Sequence, residues 1–179
     1  MIDPNADSGV IRAVKAAGKR RMAREMAVQM LYQAEMGRSD LREVFTAYDV
    51  VDFLKQGGGG DATNLERTLP GVAVDRLTEA RRAFDYACGL VQGTHDRIDE
   101  VDGLIRAQAE NWRLERMPAV DRNILRLAVY ELLAEDDVPP LVVLDEAVEL
   151  AKRFGSEHSG RFVNGLLDGL MRAREERVE

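Results

Sequence analysis

A cluster of basic side chains near the start of the chain contains the residues best suited to chemistry. Between Val10 and Arg24 the sequence has six cations and no anion. Guanidinium and ammonium groups at this density are typical of surfaces that bind the phosphates of nucleic acids or the headgroups of acidic membranes. The alternative is a solvated tail whose charge only aids solubility. We favour a nucleic-acid surface, formed by Arg12, Lys15, Lys19, Arg20, Arg21 and Arg24.

The charge of this cluster is opposite to that of the remaining chain. All 179 residues together carry a net charge of −7, which alone argues against a nucleic-acid-binding protein. Residues 1–24 nevertheless sum to +4, and the other 155 residues sum to −11. The average therefore hides a basic segment that can attract phosphates locally.

Residues for catalysis or metal binding are sparse. The two histidines, His95 and His158, lie on separate predicted elements without the neighbours that a metal site needs. Cys88 is the only cysteine, which excludes an internal disulfide, and its apolar neighbours indicate a small buried side chain rather than a nucleophile. The glycine run 57–60 is not a phosphate-binding loop, because neither Lys-Ser nor Lys-Thr follows it. We expect no enzyme activity, no metal and no cofactor.

Helices must position these residues. Apolar side chains recur with a period of about 3.6 residues, and runs of alternating β-branched residues are missing. The sequence predicts one long helical stretch over residues 74–110, with a kink or break at Gly89, Gly93 or Gly103. The other predicted helices begin near Met22, Asp40, Pro118, Val142 and Ser159. These patterns predict an all-α fold of about six or seven helices in one compact domain, and the length leaves open a single core or two small fused bundles.

The predicted organisation has an extension followed by one domain. Residues 1–18 form a flexible basic N-terminal extension, and residues 19–179 form the helical domain. Within it we expect a glycine-rich insertion at 56–70. No stretch approaches 18 uncharged apolar residues, and the start lacks the apolar block of a signal peptide. We therefore expect a cytoplasmic protein without a membrane partner.

Three blocks of this sequence resemble the NusB family of bacterial transcription antitermination factors. The first is the basic segment that runs into a helix, KRRMAREMAVQMLYQAEM, from Lys19 to Met36. The second is NWRLERMPAVDRNILRLAVYELL, residues 111–133, and the third is VPPLVVLDEAVELAKRFGSEHSGRFVNGLLDGL, residues 138–170. The resemblance implies an all-helical fold of two small bundles fused into one compact domain, without enzyme activity. The N-terminal bundle would span 19–110 and the C-terminal bundle 111–175.

The resemblance also implies a function and partners. NusB-like proteins pair with NusE, the small-subunit ribosomal protein, and the heterodimer holds single-stranded boxA RNA of ribosomal RNA leader transcripts. RNA polymerase then resists termination within an antitermination complex. The same family resemblance implies RNA-binding residues in the arginine-rich segment and around the FVNG motif, together with a protein-partner surface at the helix that Val120 and Asp121 open. The implied RNA-binding residues are Lys19, Arg20, Arg21, Arg24, Gln29, Arg161, Phe162 and Asn164.

Two alternatives stay open and one is excluded. NusB-like domains also occur in ribosomal RNA cytosine methyltransferases, but this sequence contains no glycine-rich strand-to-helix turn and no catalytic cysteine motif. A helical protein-protein interaction module without RNA binding would leave the basic segment incidental. A homodimer that hides the basic face is also possible.

Overall fold

The computed structural model describes the backbone of residues 4–59, 70–109 and 113–175, and the side chains of 18–59, 74–109 and 113–174. These parts contain eight α-helices and one short 3₁₀ turn, Leu114–Arg116, and no β-strand. The described helices contain no segment that is both long and apolar enough to cross a membrane. The helices are α1 Pro4–Gly37, α2 Leu41–Ala47, α3 Val50–Lys55, α4 Pro70–Asp96, α5 Ile98–Gln108, α6 Ala119–Ala134, α7 Pro140–Phe154 and α8 Ser159–Glu175.

Helix α1 begins much earlier than the sequence predicts. The apolar stripe starts at Met22, but the helix starts at Pro4, a residue that suits the first helical turn. No proline interrupts the following residues, and the helix continues to Gly37. The backbone of residues 4–18, where we predict a flexible extension, is therefore continuous with the helix that carries the basic segment. Residues 1–3 and the side chains of 4–17 lie outside the described residues.

Two predicted helices are each divided in the structure. The second ends at Ala47 and restarts at Val50, because the Asp49 carboxylate accepts hydrogen bonds from the backbone N–H groups of Val51 and Asp52 and so caps a new helix. The long third helix breaks at Arg97 and at none of the three glycines. These two breaks raise the number of helices above the predicted six or seven.

Helix α6 lies at the centre of the molecule. It contacts α1, α4, α5, α7 and α8, while α1 packs along α4 and α7 packs along α8. Its residues Ile124, Leu125 and Val129 are fully buried in the single core cluster. Helix α5 precedes the predicted division at residue 110, yet it packs mainly on α6 and α8. The division into two bundles at that residue stays a prediction.

Gly93 lets α4 approach α6 closely. A Cβ atom at this position would lie 2.0 Å from the hydroxyl oxygen of Tyr130 on α6. The glycine that the sequence indicated as a kink therefore serves as a packing position in a continuous helix.

The first glycines of the predicted insertion form an ordered turn on α1. Gly57 and Gly59 both have positive φ, 83° and 84°, and the N–H of Gly59 donates to the buried Glu25 carboxylate over 2.8 Å. Gly58 lies against the ring of Phe53, where a Cβ would be 2.3 Å from Cζ. These residues need glycine because of both backbone conformation and space. Residues 60–69 of the insertion lie outside the described part.

Gly59→Ala should destabilise the protein by about 1 to 3 kcal/mol, because a residue with a Cβ atom is strained in the left-handed backbone conformation of this position. Its Cβ would also lie 2.8 Å from Cε of Met22. The matched control is Gly89→Ala in α4, where no neighbour lies within 4 Å of the added atom. That change should stabilise by about 0.5 to 1 kcal/mol. Urea unfolding measures both, and equal effects of the two variants would contradict the assigned role of the turn.

Candidate nucleic-acid interface

The basic segment of α1 lies beside the end of α6, the α6–α7 turn and helix α7. Arg20 and Arg21 lie one helical turn before Arg24, on the same side of α1, and all three face these elements. Each of the three forms an ion pair with a carboxylate more than 100 residues further along the chain. The side chains of Arg12 and Lys15 lie outside the described residues. The segment is therefore built into the fold.

Arg24 lies inside the protein. Its residue surface is 2% exposed, and its Nε and Nη2 atoms donate to both oxygens of Glu131 over 2.8 to 3.0 Å. Burial lowers the pKa of the guanidinium, but the hydrogen bonds and charge of Glu131 outweigh this effect and leave the pKa raised. The sequence predicted Arg24 as RNA-binding. In the structure its guanidinium is buried and paired with Glu131 of α6, so it is not presented at the surface.

Arg20 and Arg21 lie at the surface. Arg20 forms an ion pair with Asp137 in the α6–α7 turn. Arg21 forms a bidentate pair with Glu146 of α7, with Nη2 to Oε1 at 2.9 Å and Nε to Oε2 at 3.2 Å. The hydrogen bond and charge of Glu146 raise the pKa of Arg21. The side chains of Arg20 and Arg21 are 35% and 49% exposed, so both keep an accessible edge.

Lys19 and Gln29 differ in their surroundings. Lys19 is partly buried, one residue before Arg20. Gln29 lies two turns further along α1, and its Oε1 accepts a hydrogen bond from the hydroxyl of Tyr48 over 2.6 Å. Burial raises the pKa of Tyr48, which keeps that hydroxyl protonated as a donor. Gln29 therefore joins α1 to the α2–α3 junction.

The start of α8 presents the second group of predicted residues. Arg161 and Asn164 are exposed, whereas Phe162 is partly buried and packs on the core. The N–H of Ser156 donates to the hydroxyl of Ser159 over 2.8 Å, which holds the turn before the helix. The helical spacing thus separates two polar side chains at the surface from an aromatic ring that anchors the helix.

Helix α7 lies between the two groups. Glu146 faces α1, where it holds Arg21, and Arg153 faces α1 two turns later, where it holds Glu25 over 2.6 Å. On the other side of α7, Cγ of Lys152 would lie 3.1 Å from a Cβ at Gly160 in α8. The two groups therefore flank a single helix.

Arg153 was missed by the sequence analysis. Its Nη1 donates to Glu25 and its Nη2 to the carbonyl oxygen of Gly57, so it connects α7, α1 and the glycine turn. Its partners are 128 and 96 residues away in sequence. Lys and Arg at the end of a helix are a common pattern that complements the helix dipole, so the local sequence does not distinguish this role.

The predicted partner residue Asp121 lies in the first turn of α6. It is 3% exposed, and its Oδ1 atom has no hydrogen-bond partner among the described residues. The next two residues, Arg122 and Asn123, both donate to Glu35 of α1. The side chain that the resemblance indicated for protein contact is therefore turned inward, beside a network of charged groups.

This network borders a groove of about 980 Å³ that the sequence analysis did not predict. The groove lies between the end of α1, helix α2, the α4–α5 junction and α6. Arg126 at its base forms a bidentate pair with Asp102 over 2.7 and 2.8 Å. Leu31, Leu41, Phe45 and Ile98 contribute apolar surface, and polar side chains such as Arg42, Glu43 and Gln92 line other parts. The groove thus has a mixed apolar and polar lining.

Comparison with known proteins assigns this arrangement of helices. The family model described as the NusB family matches residues 21–172. This chain belongs to the NusB family. The match begins at Arg21, so Lys19 and Arg20 precede it.

Individual NusB proteins are similar over most of their length. The chain is 42% identical over 151 residues to the transcription antitermination protein NusB of Sorangium cellulosum, covering 84% of this chain and 90% of that protein. It is 38% identical over 151 residues to the protein of the same name from Desulforapulum autotrophicum, with the same coverage. The predicted family is thereby confirmed.

Solved NusB structures have the same fold. T. maritima NusB is 36% identical, with a TM-score of 0.62, and the match covers 86% of this chain and 90% of that one. A structure of the antitermination factors NusB and NusE in complex with dsRNA contains a chain that is 26% identical, also with a TM-score of 0.62. That match covers 87% of this chain and 97% of the other. The predicted all-α fold is confirmed.

Arg24→Ala should destabilise the protein by about 3 to 5 kcal/mol, because it leaves the Glu131 carboxylate buried without a counterion. The joint change Arg24→Met with Glu131→Leu should restore most of this loss, since it removes both buried charges. Thermal and urea unfolding measure the effects. The control is Arg97→Ala, which removes a surface ion pair with Glu100 and should change the stability far less. A loss in Arg24→Ala no larger than that control would contradict the internal role.

Cys88 should react slowly with alkylating reagents. Burial, and secondly the charge of Asp85, raise the pKa of its thiol to about 11. At pH 8 the thiolate fraction is then roughly a hundredfold below that of an ordinary cysteine. A thiolate of higher pKa is also the stronger nucleophile, and this offsets about half of the effect on a logarithmic scale. The rate of iodoacetamide modification should be about tenfold below that of a cysteine peptide and should still rise above pH 9. A plateau near pH 9 would contradict the raised pKa.

Proposed function

We propose that this chain is a transcription antitermination factor that binds single-stranded boxA RNA of ribosomal RNA leader transcripts together with NusE. Its membership of the NusB family supports this function, as do relatives named transcription antitermination proteins. A structural neighbour is a complex of NusB and NusE with dsRNA, which supports RNA and NusE as partners. The function places the chain in the cytoplasm, within the antitermination complex of RNA polymerase, and without catalytic activity.

The observation that carries the proposal is the exposed basic edge of α1 on one side of α7 with the polar start of α8 on the other. We assign phosphate binding to Lys19, Arg20, Arg21 and Arg161, all of which have accessible surface. Asn164 is exposed and suited to reading a base edge, and Phe162 is the candidate for stacking on an unpaired base. Arg24 and Gln29 act indirectly, by holding α1 in place.

A second candidate function follows from the ion pairs themselves. Arg20, Arg21 and Arg24 are each paired with a carboxylate of the same chain. This favours a protein-protein interaction module in which the basic segment only joins helices, with the groove beside Asp121 and Glu35 as the contact surface for NusE or a second copy of the chain. Light scattering over a range of concentrations tests the homodimer.

Titration of fluorescently labelled boxA RNA, with and without NusE, separates the two functions. Four phosphate-binding cations on a single strand predict that log affinity falls with log salt concentration with a slope of at most about −3. Arg20→Ala with Arg21→Ala should weaken binding and make the slope shallower by up to about 1.4, while the melting temperature changes little because both side chains are largely accessible.

The matched control is Arg97→Ala with Arg106→Ala, which removes the same charge from exposed arginines of the α4–α5 region. It should leave both affinity and slope within error of the unchanged protein. Absence of RNA binding both with and without NusE would support the protein-binding module. A salt-independent affinity would contradict the assigned phosphate contacts.

A further inference from the structure

The carboxylates of Asp137 and Glu146 are paired with the guanidinium groups of Arg20 and Arg21, which the proposed function assigns to RNA phosphates. Glu146 binds two donors of Arg21 in the bidentate geometry that also suits a phosphate. Asp137 binds Nη2 of Arg20. A phosphate that approaches either arginine meets a donor that is already engaged by an anion of the same protein.

We propose that Asp137 and Glu146 are internal competitors of the RNA backbone, which set the affinity of the site by holding Arg20 and Arg21 until phosphates replace them. This inference rests on the proposed function, because it concerns the same surface. It adds two acidic residues to the RNA-binding site that are not RNA ligands themselves. Their effect is independent of base sequence, since phosphate contacts carry no sequence information.

The two competitors differ in how readily they are displaced. The Asp137 side chain is 67% exposed in a turn, so it regains full hydration when Arg20 turns toward a phosphate. The Glu146 side chain is only 18% exposed, and it also lies 3.9 Å from Nη1 of Arg24. Glu146 therefore retains a cation when Arg21 leaves, which stabilises the released carboxylate. By contrast Glu131 is buried with Arg24 and stays paired.

A third carboxylate, after Asp137 and Glu146, also acts on Arg21. Glu149 lies one turn after Glu146 on α7 and is exposed, and its charge contributes to the raised pKa of Arg21. Its Oε1 accepts a hydrogen bond from Lys152 over 2.7 Å, and hydrogen bonding by Lys152 lowers the pKa of Glu149. On the α1 side of α7, phosphates therefore reach Arg20 and Arg21 by replacing carboxylates that already hold them.

Neutral variants test the competition. Asp137→Asn and Glu146→Gln should each raise the affinity for boxA RNA by about two- to fivefold, which is the range expected for loss of an exposed ion pair. A scrambled RNA of equal length should gain by the same factor, so the ratio between the two RNAs stays constant. The salt dependence should become steeper, because no released carboxylate takes up a cation when RNA binds.

Two controls separate this competition from a general effect of charge. Asp145→Asn removes the same charge from the neighbouring position of α7, where the carboxylate is exposed and has no ion pair within the described residues. It should change affinity by much less than Glu146→Gln. In the Arg21→Ala background, Glu146→Gln should give no gain, since the contested guanidinium is gone. Melting temperatures confirm that each variant is folded, and Asp137→Asn tests the inference if Glu146→Gln disturbs the contact with Arg24.

The outcomes distinguish this inference from the proposed function. If the unchanged protein binds boxA RNA and both neutral variants bind it equally or more weakly, the competition is refuted while the function stands. Equal gains in Asp145→Asn and Glu146→Gln would refute the specific competition as well. If the unchanged protein binds no RNA with or without NusE, the proposed function fails, and this inference fails with it.

Discussion

The buried ion pair between Arg24 and Glu131 is the interaction on which the candidate surface depends. A guanidinium inside a protein must keep its counterion, because desolvation of an unpaired charge is far more costly than any gain from packing. The pair therefore fixes how α1 is rotated and where it lies along α6. Residues three and four positions earlier share the same side of a helix. Arg20 and Arg21 consequently meet the α6–α7 turn and α7, where Asp137 and Glu146 lie.

Local patterns of the sequence account for most of the helices. The apolar period predicted α1, α6, α7 and α8 as helices, because burial of one helical face depends on spacing within a single element. Of the two breaks that raise the number of helices, the one at Arg97 has no side-chain cap. The other arose where a side chain changes the backbone locally. At the α2–α3 junction Asp49 caps a new helix, although a continuous apolar pattern crosses it. The early start of α1 was missed because apolar periodicity shows only the part of a helix that packs.

The candidate surface was predicted less completely than the fold. Four neighbouring basic residues have the same chemistry in the sequence, but only tertiary packing separates the buried Arg24 from the exposed Arg20 and Arg21. Their partners are 107 to 125 residues distant, so no local pattern identifies them. The same limit applies to Gln29, which holds Tyr48, and to Arg153. A count of cations therefore overstates the charge available to RNA, because carboxylates of the acidic remainder already neutralise part of it.

Ultraviolet crosslinks between boxA RNA and this chain in complex with NusE, mapped by mass spectrometry, show directly which surface holds the RNA. We expect crosslinked peptides that contain Arg20 and Arg21 of α1, together with peptides from the start of α8 around Phe162 and Asn164. Crosslinks confined to the groove of α2, α4 and α6, with none on the flanks of α7, would contradict this expectation.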